Sequence, residues 1–320
     1  MDDLGIYIQR LQKLRVDRSK GIAPHKPILL LSILQLFKNG FQSENKIFIT
    51  PELISLFKEN WAILVTTDHD CKFALPFYHL TGDGFWNLVP KKGFENIITI
   101  KGTMRSINNL VDAVEYGCFK DEFYKFCLDP KSNFILEKFI LDFYFPTKAR
   151  SYNAPFEKSN YEIKIIENKI VNEDKEEYRK EIKKLLEQKN EEEIVIRGMI
   201  FKREIPKNYN FSCCISGMKI SSTFNVSMVD ACHIVPFSKS FDDTIKNGIS
   251  LCPNLHRAFD RGLISINEDF KVLVSDRFIE NESNYALKNF KNQIIELPKI
   301  DHLFPDKNNL KWHKENIFLN

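Results

Sequence analysis

The stretch from Val229 to Gly262 constrains this chain more than any other. It opens as VDACHIVPFS (Val229–Ser238) and closes as NGISLCPNLHRAFDRG (Asn247–Gly262). Val229, Ala231, Ile234 and Val235 favour an extended segment, which Pro236 ends. Asn247–Gly248 is a turn pair, and Pro253 with Asn254 can open a short helix that Gly262 closes. In that helix His256 and Asp260 are four residues apart, one turn along the same face. An imidazole and a carboxylate so placed can hold one divalent cation. Asp230 in the strand is a further ligand candidate. His233, neutral at working pH, would face the same site as a base able to take a proton from water. Each feature alone has an ordinary structural explanation, a buried histidine or a surface ion pair. Their order along one strand, loop and helix is what favours a hydrolytic metal site.

The order His233, Asn247, His256 with Asp260, ending in HRAFDRG (His256–Gly262), resembles the HNH endonucleases. The resemblance implies a ββα-metal fold and hydrolysis of DNA phosphodiester bonds with one divalent ion. Mg²⁺, Mn²⁺, Ni²⁺ and Co²⁺ all suit such ligands. It implies that His233 is the general base, that the Asn247 amide braces the loop between strand and helix, and that His256 and Asp260 bind the metal. Two departures stand out. Many members carry an acid or a histidine directly before the base, where this chain has Cys232; Asp230, two residues earlier on the same strand face, is the expected substitute. Many also hold a structural zinc with two CxxC pairs. Here Cys213 and Cys214 are adjacent and Leu255 stands three residues after Cys252, so the hydrophobic core is expected to hold the motif instead.

The 320 residues suffice for two domains. The expected α+β architecture is a DNA-recognition domain over residues 1–147, a charged connector over 148–193, and a nuclease domain over 194–320. With 43% hydrophobic and 28% charged residues the chain reads as soluble and globular, and 27 Phe against 3 Trp point to Phe-rich cores. A net charge of +3 does not by itself argue for nucleic acid; a local basic face is needed. The 7 cysteines form no CxxC pair and read as reduced thiols of a cytoplasmic protein. With acids first and no long apolar run, MDDLGIYIQR is not expected to act as a signal peptide, and the apolar run from Ile28 is too short to span a bilayer.

In the first half, Gly21–Gly40 predicts a helix with Pro27 in its first turn, apolar on most faces and therefore buried. His25 and Lys26 sit at its start, where they can add to an anion site or serve as a capping or packing residue and a solvated charge, respectively. Pro51 opens a second helix from Thr50 to Leu64. Leu75–Val89 predicts a hairpin around Gly82–Asp83–Gly84, Ile97–Ile100 a short strand, and Leu110–Tyr116, Asp121–Leu128 and Pro130–Phe145 further helices. APHKPILLLSIL (Ala23–Leu34) together with LPFYHLTGDGFW (Leu75–Trp86) resembles the sulfur-binding domain of modification-dependent restriction enzymes, which senses phosphorothioate DNA. The matching positions are His25, Lys26, Pro76 and His79; Pro76 can equally be a core residue. That family often has Tyr where this chain has Leu75, so the modification read can differ. In the second half, the charged run Asp174–Asn190 predicts a solvated connector helix with a thin stripe of Ile182, Leu185 and Leu186. Arg197, Lys202 and Arg203 are expected on the DNA backbone, and Leu263–Ser275 predicts a hairpin.

Together these resemblances imply a type IV restriction endonuclease. Its partner would be double-stranded, backbone-modified DNA, and a homodimer would account for cuts on both strands. The alternatives are an HNH nuclease sensing modified cytosine or unmodified DNA, and a catalytically dead DNA-binding regulator.

Overall fold

A computed structural model of the protein describes residues 3–19, 21–99, 103–220 and 227–320. The chain divides into two compact units, Met1–Lys164 and Ile165–Asn320. Among the described residues the first combines helices with one two-stranded antiparallel sheet and the second with two, an α+β architecture. No helix among the described residues is long and apolar enough to cross a membrane.

The first unit holds α1 (Asp3–Gln12), α2 (His25–Lys38), α3 (Pro51–Leu64), α4 (Ala74–His79), β1 (Trp86–Pro90), α5 (Ile107–Ala113), β2 (Val114–Phe119), α6 (Asp121–Leu128) and α7 (Pro130–Tyr144). As its all-round hydrophobicity predicts, α2 is the core: every residue from Lys26 to Phe37 is buried. Its polar interior residues are satisfied by neighbours. Asn60 donates to Ser32 Oγ at 3.0 Å and to Gln35 Oε1 at 2.9 Å, and Tyr152 bonds both Gln35 and Asn60. Thr50 caps α3 by accepting from the Leu53 amide, with Pro51 in the first turn.

The hairpin expected over Leu75–Val89 is not there. Its first half is helix α4, which buries Ala74, Pro76 and Phe77, and a 3₁₀ turn follows at Leu80–Asp83. Only the second half is a strand, β1, and its partner is the distant β2. The aromatic residues decided this. Phe73, Phe77, Phe85, Trp86 and Phe119 pack ring against ring in one cluster, which a local hairpin would scatter over two sheet faces. Gly117 makes room for it, since a Cβ there would lie 2.0 Å from the Trp86 ring. The helix expected over Leu110–Tyr116 accordingly ends at Ala113 and continues as β2, and Ile97–Thr99 is a 3₁₀ turn rather than a strand; Ile100 lies outside the described residues.

The division between the units falls within α8 (Phe156–Asn172). The second unit continues with α9 (Lys175–Glu187) and α10 (Glu191–Asn208). Then come β3 (Asp230–His233), α11 (Phe237–Ser240), β4 (Gly248–Leu251), α12 (Pro253–Asp260), β5 (Ile264–Ile266), β6 (Val272–Val274) and α13 (Lys307–Asn316). The charged run is more than a solvated connector: Tyr178, Ile182 and Leu185 of α9 are buried. The strand–loop–helix expected at the centre is a hairpin plus helix, because Gly248 opens a second strand. β4 pairs antiparallel with β3, with His233 opposite Gly248. A Cβ on Gly248 would meet Ile205 of α10 at 2.2 Å, so the missing side chain lets α10 lie directly on the hairpin. Gly262 ends α12 with φ +69°, and a Cβ there would strike the Ile317 carbonyl at 2.0 Å. β5 and β6 form the hairpin expected around Asn267–Asp269.

α13 closes this unit through His313, whose ring stacks on Phe259 with centroids 3.6 Å apart. Burial lowers its pKa from 6.5 to about 4. The unfolded chain takes up this proton as pH falls below about 6.5, whereas the folded chain resists until about 4. The corresponding stability is therefore complete above 6.5 and is lost as pH falls toward 4, a total on the order of 3 kcal/mol. Urea denaturation of wild type and His313→Gln at pH 7.5 and pH 5 tests this. Wild type is expected to lose about 2 kcal/mol more than the variant over that interval.

Candidate active site

The loop between β3 and β4 is organised by one side chain. Asn247 is fully buried. Its Oδ1 accepts from the Val235 amide at 2.9 Å. Its Nδ2 donates to the Val235 and Asp242 carbonyls, both at 2.9 Å, and reaches Ser240 Oγ at 3.3 Å. These bonds pin the end of β3 to the turn that follows α11, where Phe241 takes the left-handed conformation (φ 51°). The turn presents Asp243, whose side chain is 3% exposed, to His233 Nε2 at 2.8 Å. The opposite constraint on His233 is Phe201 of α10, stacked at 4.0 Å with an interplanar angle of 9°. Asp243 and Phe201 were not singled out from the sequence. The acidic pair Asp242–Asp243 before the Asn–Gly turn is the only local sign of the first. Nothing local marks Phe201, because its role depends on how α10 packs.

His256 lies between two carboxylates. Its Nδ1 is 3.6 Å from Asp230 Oδ2, and its Nε2 is 3.5 Å from Asp260 Oδ2. Cys232, fully buried, approaches Asp260 Oδ1 with its sulfur at 3.9 Å. Burial, and next the charge of Asp260, push the Cys232 thiol well above its ordinary range. The potential ligand atoms of Cys232, His256 and Asp260 all lie within 4.8 Å of one another. This donor set of sulfur, nitrogen and oxygen fits a divalent metal ion. Beside it, His233, His256 and Asp260 line one open cavity of about 400 Å³, with Lys202 and Phe237 also in its wall.

The cations expected on DNA divide three ways. Lys202 is exposed and lines this cavity. Arg203 is 39% exposed and paired with Glu167 and Glu204. Arg197 departs from the expectation: it is 1% exposed, bonded to Glu181 at 2.9 Å and Glu193 at 3.2 Å, and its guanidinium lies over the Tyr178 ring. It ties α9 to α10 and is not presented to a phosphate. No sequence pattern distinguishes such an arginine from a surface one.

The neighbouring Cys252 thiol, ahead of Ser216, lowers the Cys213 pKa. The Ser216 amide also points at Cys213 Sγ, at 3.5 Å. Ser216 and Leu255 stand where two further sulfurs would complete a four-cysteine zinc site, so these residues do not fit that ion.

Residues 213–267 match the sequence profile of a family described as HNH endonuclease. The second unit carries an HNH endonuclease domain. The enzyme class that goes with this domain is metal-dependent hydrolysis of DNA. Among solved structures the chain is similar to one titled modification-dependent TagI restriction endonuclease, at 22% identity and a TM-score of 0.29, covering 38% of this chain and 39% of that one. No curated protein matches the chain.

In the first unit, all four residues singled out at the sequence level, His25, Lys26, Pro76 and His79, line one cavity of about 250 Å³. Val16, Ala23 and Leu75 add apolar wall, and the exposed Arg15 and Asp17 add charges of opposite sign. Desolvation lowers the pKa of both His25 and His79, so both are neutral at pH 7. His25 Nε2 is 2.9 Å from the Asp70 carbonyl, and its ring abuts Trp61 edge to face. Lys26 differs from its expected role as an available cation. Its ammonium donates to the Arg15 carbonyl at 2.7 Å and to Asp83, itself 3% exposed, at 2.6 Å. Lys26→Met is therefore expected to destabilise the fold by about 3–5 kcal/mol through the stranded Asp83 carboxylate. A thermal melt checks this; an unchanged melting temperature would return Lys26 to the role of a free cation.

Proposed function

We propose that the chain is a modification-dependent DNA endonuclease. Its first unit selects phosphorothioate-bearing DNA, and its second hydrolyses a phosphodiester with one divalent ion and His233 as general base. The observation that carries the catalytic reading is the shared cavity of His233, His256 and Asp260. In this mechanism Asp243 accepts the Nε2 proton of His233, which leaves Nδ1 as the basic nitrogen. The Phe201 stack fixes the ring plane, so the imidazole meets an incoming water in one orientation. His256 and Asp260 would hold the ion, with Asp230 taking part from β3. When bound, the ion supplies charge stabilisation at the scissile phosphate and leaving oxygen. Asn247 acts through the loop it ties together. Lys202, and Arg203 to the extent its acidic partners yield it, attract the DNA backbone.

The recognition reading is supported by the makeup of the first cavity. A sulfur-substituted phosphate is softer and less hydrated than its oxygen parent. Pro76, Leu75 and Ala23 offer it carbon surface, the neutral His25 and His79 offer hydrogen-bonding edges, and Arg15 matches the retained charge. Contacts of this kind act on the backbone and read little base sequence.

Nicking of phosphorothioate-bearing and plain plasmids, with Mn²⁺ and with chelator, tests both halves. Wild type is expected to cut the modified plasmid preferentially, and His233→Ala to lose about 10²- to 10⁴-fold in rate while still binding DNA. Asp243→Asn is expected to slow nicking by a smaller factor. Equal cutting of both plasmids removes the phosphorothioate assignment, and preference for methylcytosine DNA would replace it. A wild type no faster than His233→Ala on any substrate leaves a DNA-binding regulator.

A further inference from the structure

Resting on the metal-dependent reading of the second unit, the geometry points to Cys232 as a direct ligand of the ion. Asp230 then stands behind His256 as its hydrogen-bond acceptor, and the site takes a borderline transition-metal ion such as Co²⁺, Ni²⁺ or Zn²⁺ in preference to Mg²⁺.

The two carboxylates beside His256 face different nitrogens of one ring. Asp260 approaches Nε2 at 3.5 Å and Asp230 approaches Nδ1 at 3.6 Å. The lone pairs of those nitrogens point away from each other in the ring plane, so one ion cannot use both. An ion held by Asp260 and Nε2 leaves Nδ1 protonated and directed at Asp230. A ligating histidine commonly places its second N–H against a carboxylate in just this way, which fixes its tautomer and raises its basicity.

Cys232 occupies the vacated ligand position. Its sulfur is 3.9 Å from Asp260 Oδ1, and it forms with His256 and Asp260 the group whose ligand atoms lie within 4.8 Å of one another. It comes from the middle of β3, whose pairing to β4 fixes its direction. Binding forms a metal–sulfur bond and releases the thiol proton to solvent. A sulfur donor selects the ion: thiolate and imidazole suit Zn²⁺, Co²⁺ and Ni²⁺, whereas Mg²⁺ requires oxygen ligands and keeps much of its water.

The test is Co²⁺ titration of the full-length, chelator-stripped protein without DNA. Wild type is expected to show a sulfur-to-cobalt charge-transfer band in the near ultraviolet that saturates at one equivalent and survives a large excess of Mg²⁺. Cys232→Ser and Cys232→Ala should lose the band and bind Co²⁺ about tenfold or more weakly, while Asp230→Asn should keep it with affinity about 10- to 100-fold lower. Cys213→Ser and Cys252→Ser should keep it, which separates Cys232 from the other thiol pair. Calorimetric Co²⁺ binding by wild type without the band overturns the assignment. So does a band that survives in Cys232→Ala or vanishes in Cys213→Ser, and so does displacement by Mg²⁺. Those wild-type and control spectra decide the matter even if the Cys232 variants fail to fold. Plasmid nicking in Co²⁺ and in Mg²⁺ keeps the two readings apart. The expected spectra without nicking in either ion retain the ligand and remove the nuclease. Mg²⁺-supported nicking by Cys232→Ala at the wild-type rate retains the nuclease and removes the ligand.

Discussion

The buried amide of Asn247 is the interaction on which the second unit's site depends. It joins the end of β3 to the turn after α11, with both of its polar atoms used and no water-accessible surface. A buried amide left without partners costs about 1–3 kcal/mol for each orphaned group, so this loop has one low-energy shape. That shape sets where Asp243 stands, and Asp243 with the Phe201 ring sets where His233 points. One of the two constraints on the imidazole, Asp243, is thus inherited from Asn247 through the loop it ties together.

Close backbone packing supplies the rest of the frame. Gly248 lets α10 lie on the hairpin, which brings Phe201 against His233. Gly262 turns the chain at the end of α12 where a side chain would strike Ile317. Gly248 helps explain why a hairpin of four-residue strands can hold a site with only part of a zinc-binding cysteine set beside it: α10 lies directly against its backbone.

Electrostatics in both units follows one rule, that a buried cation belongs to its counter-ion. Lys26 with Asp83 is nearly removed from water, and the buried Arg197 is held by the half-buried Glu181 and Glu193, so the charge of both cations is spent inside the fold. The first cavity consequently combines apolar wall and neutral histidines with the exposed Arg15 and Asp17.

The sequence by itself determined the elements whose signals are local. The spacing of His256 and Asp260, Pro51 after Thr50, the leucine-rich α2 and the Asn267–Asp269 turn each act within a few residues, and each element appears where its pattern predicts. The sequence also carried the order of His233, Asn247 and His256. Its lining residues for the first cavity came from a resemblance rather than from periodicity. Only the tertiary structure decided the rest. Leu75–His79 became helix because a distant aromatic cluster outweighed a local turn. Lys26 became a core ion pair because Asp83, far along the chain, came to meet it, and Arg197 was buried because α9 packs on α10 and brings Glu181 beside its helix neighbour Glu193. Asp243, Phe201 and Cys232 joined the site through loop closure and helix packing. Those effects depend on which surfaces finally touch, and contact between remote segments leaves no periodic trace in a single sequence.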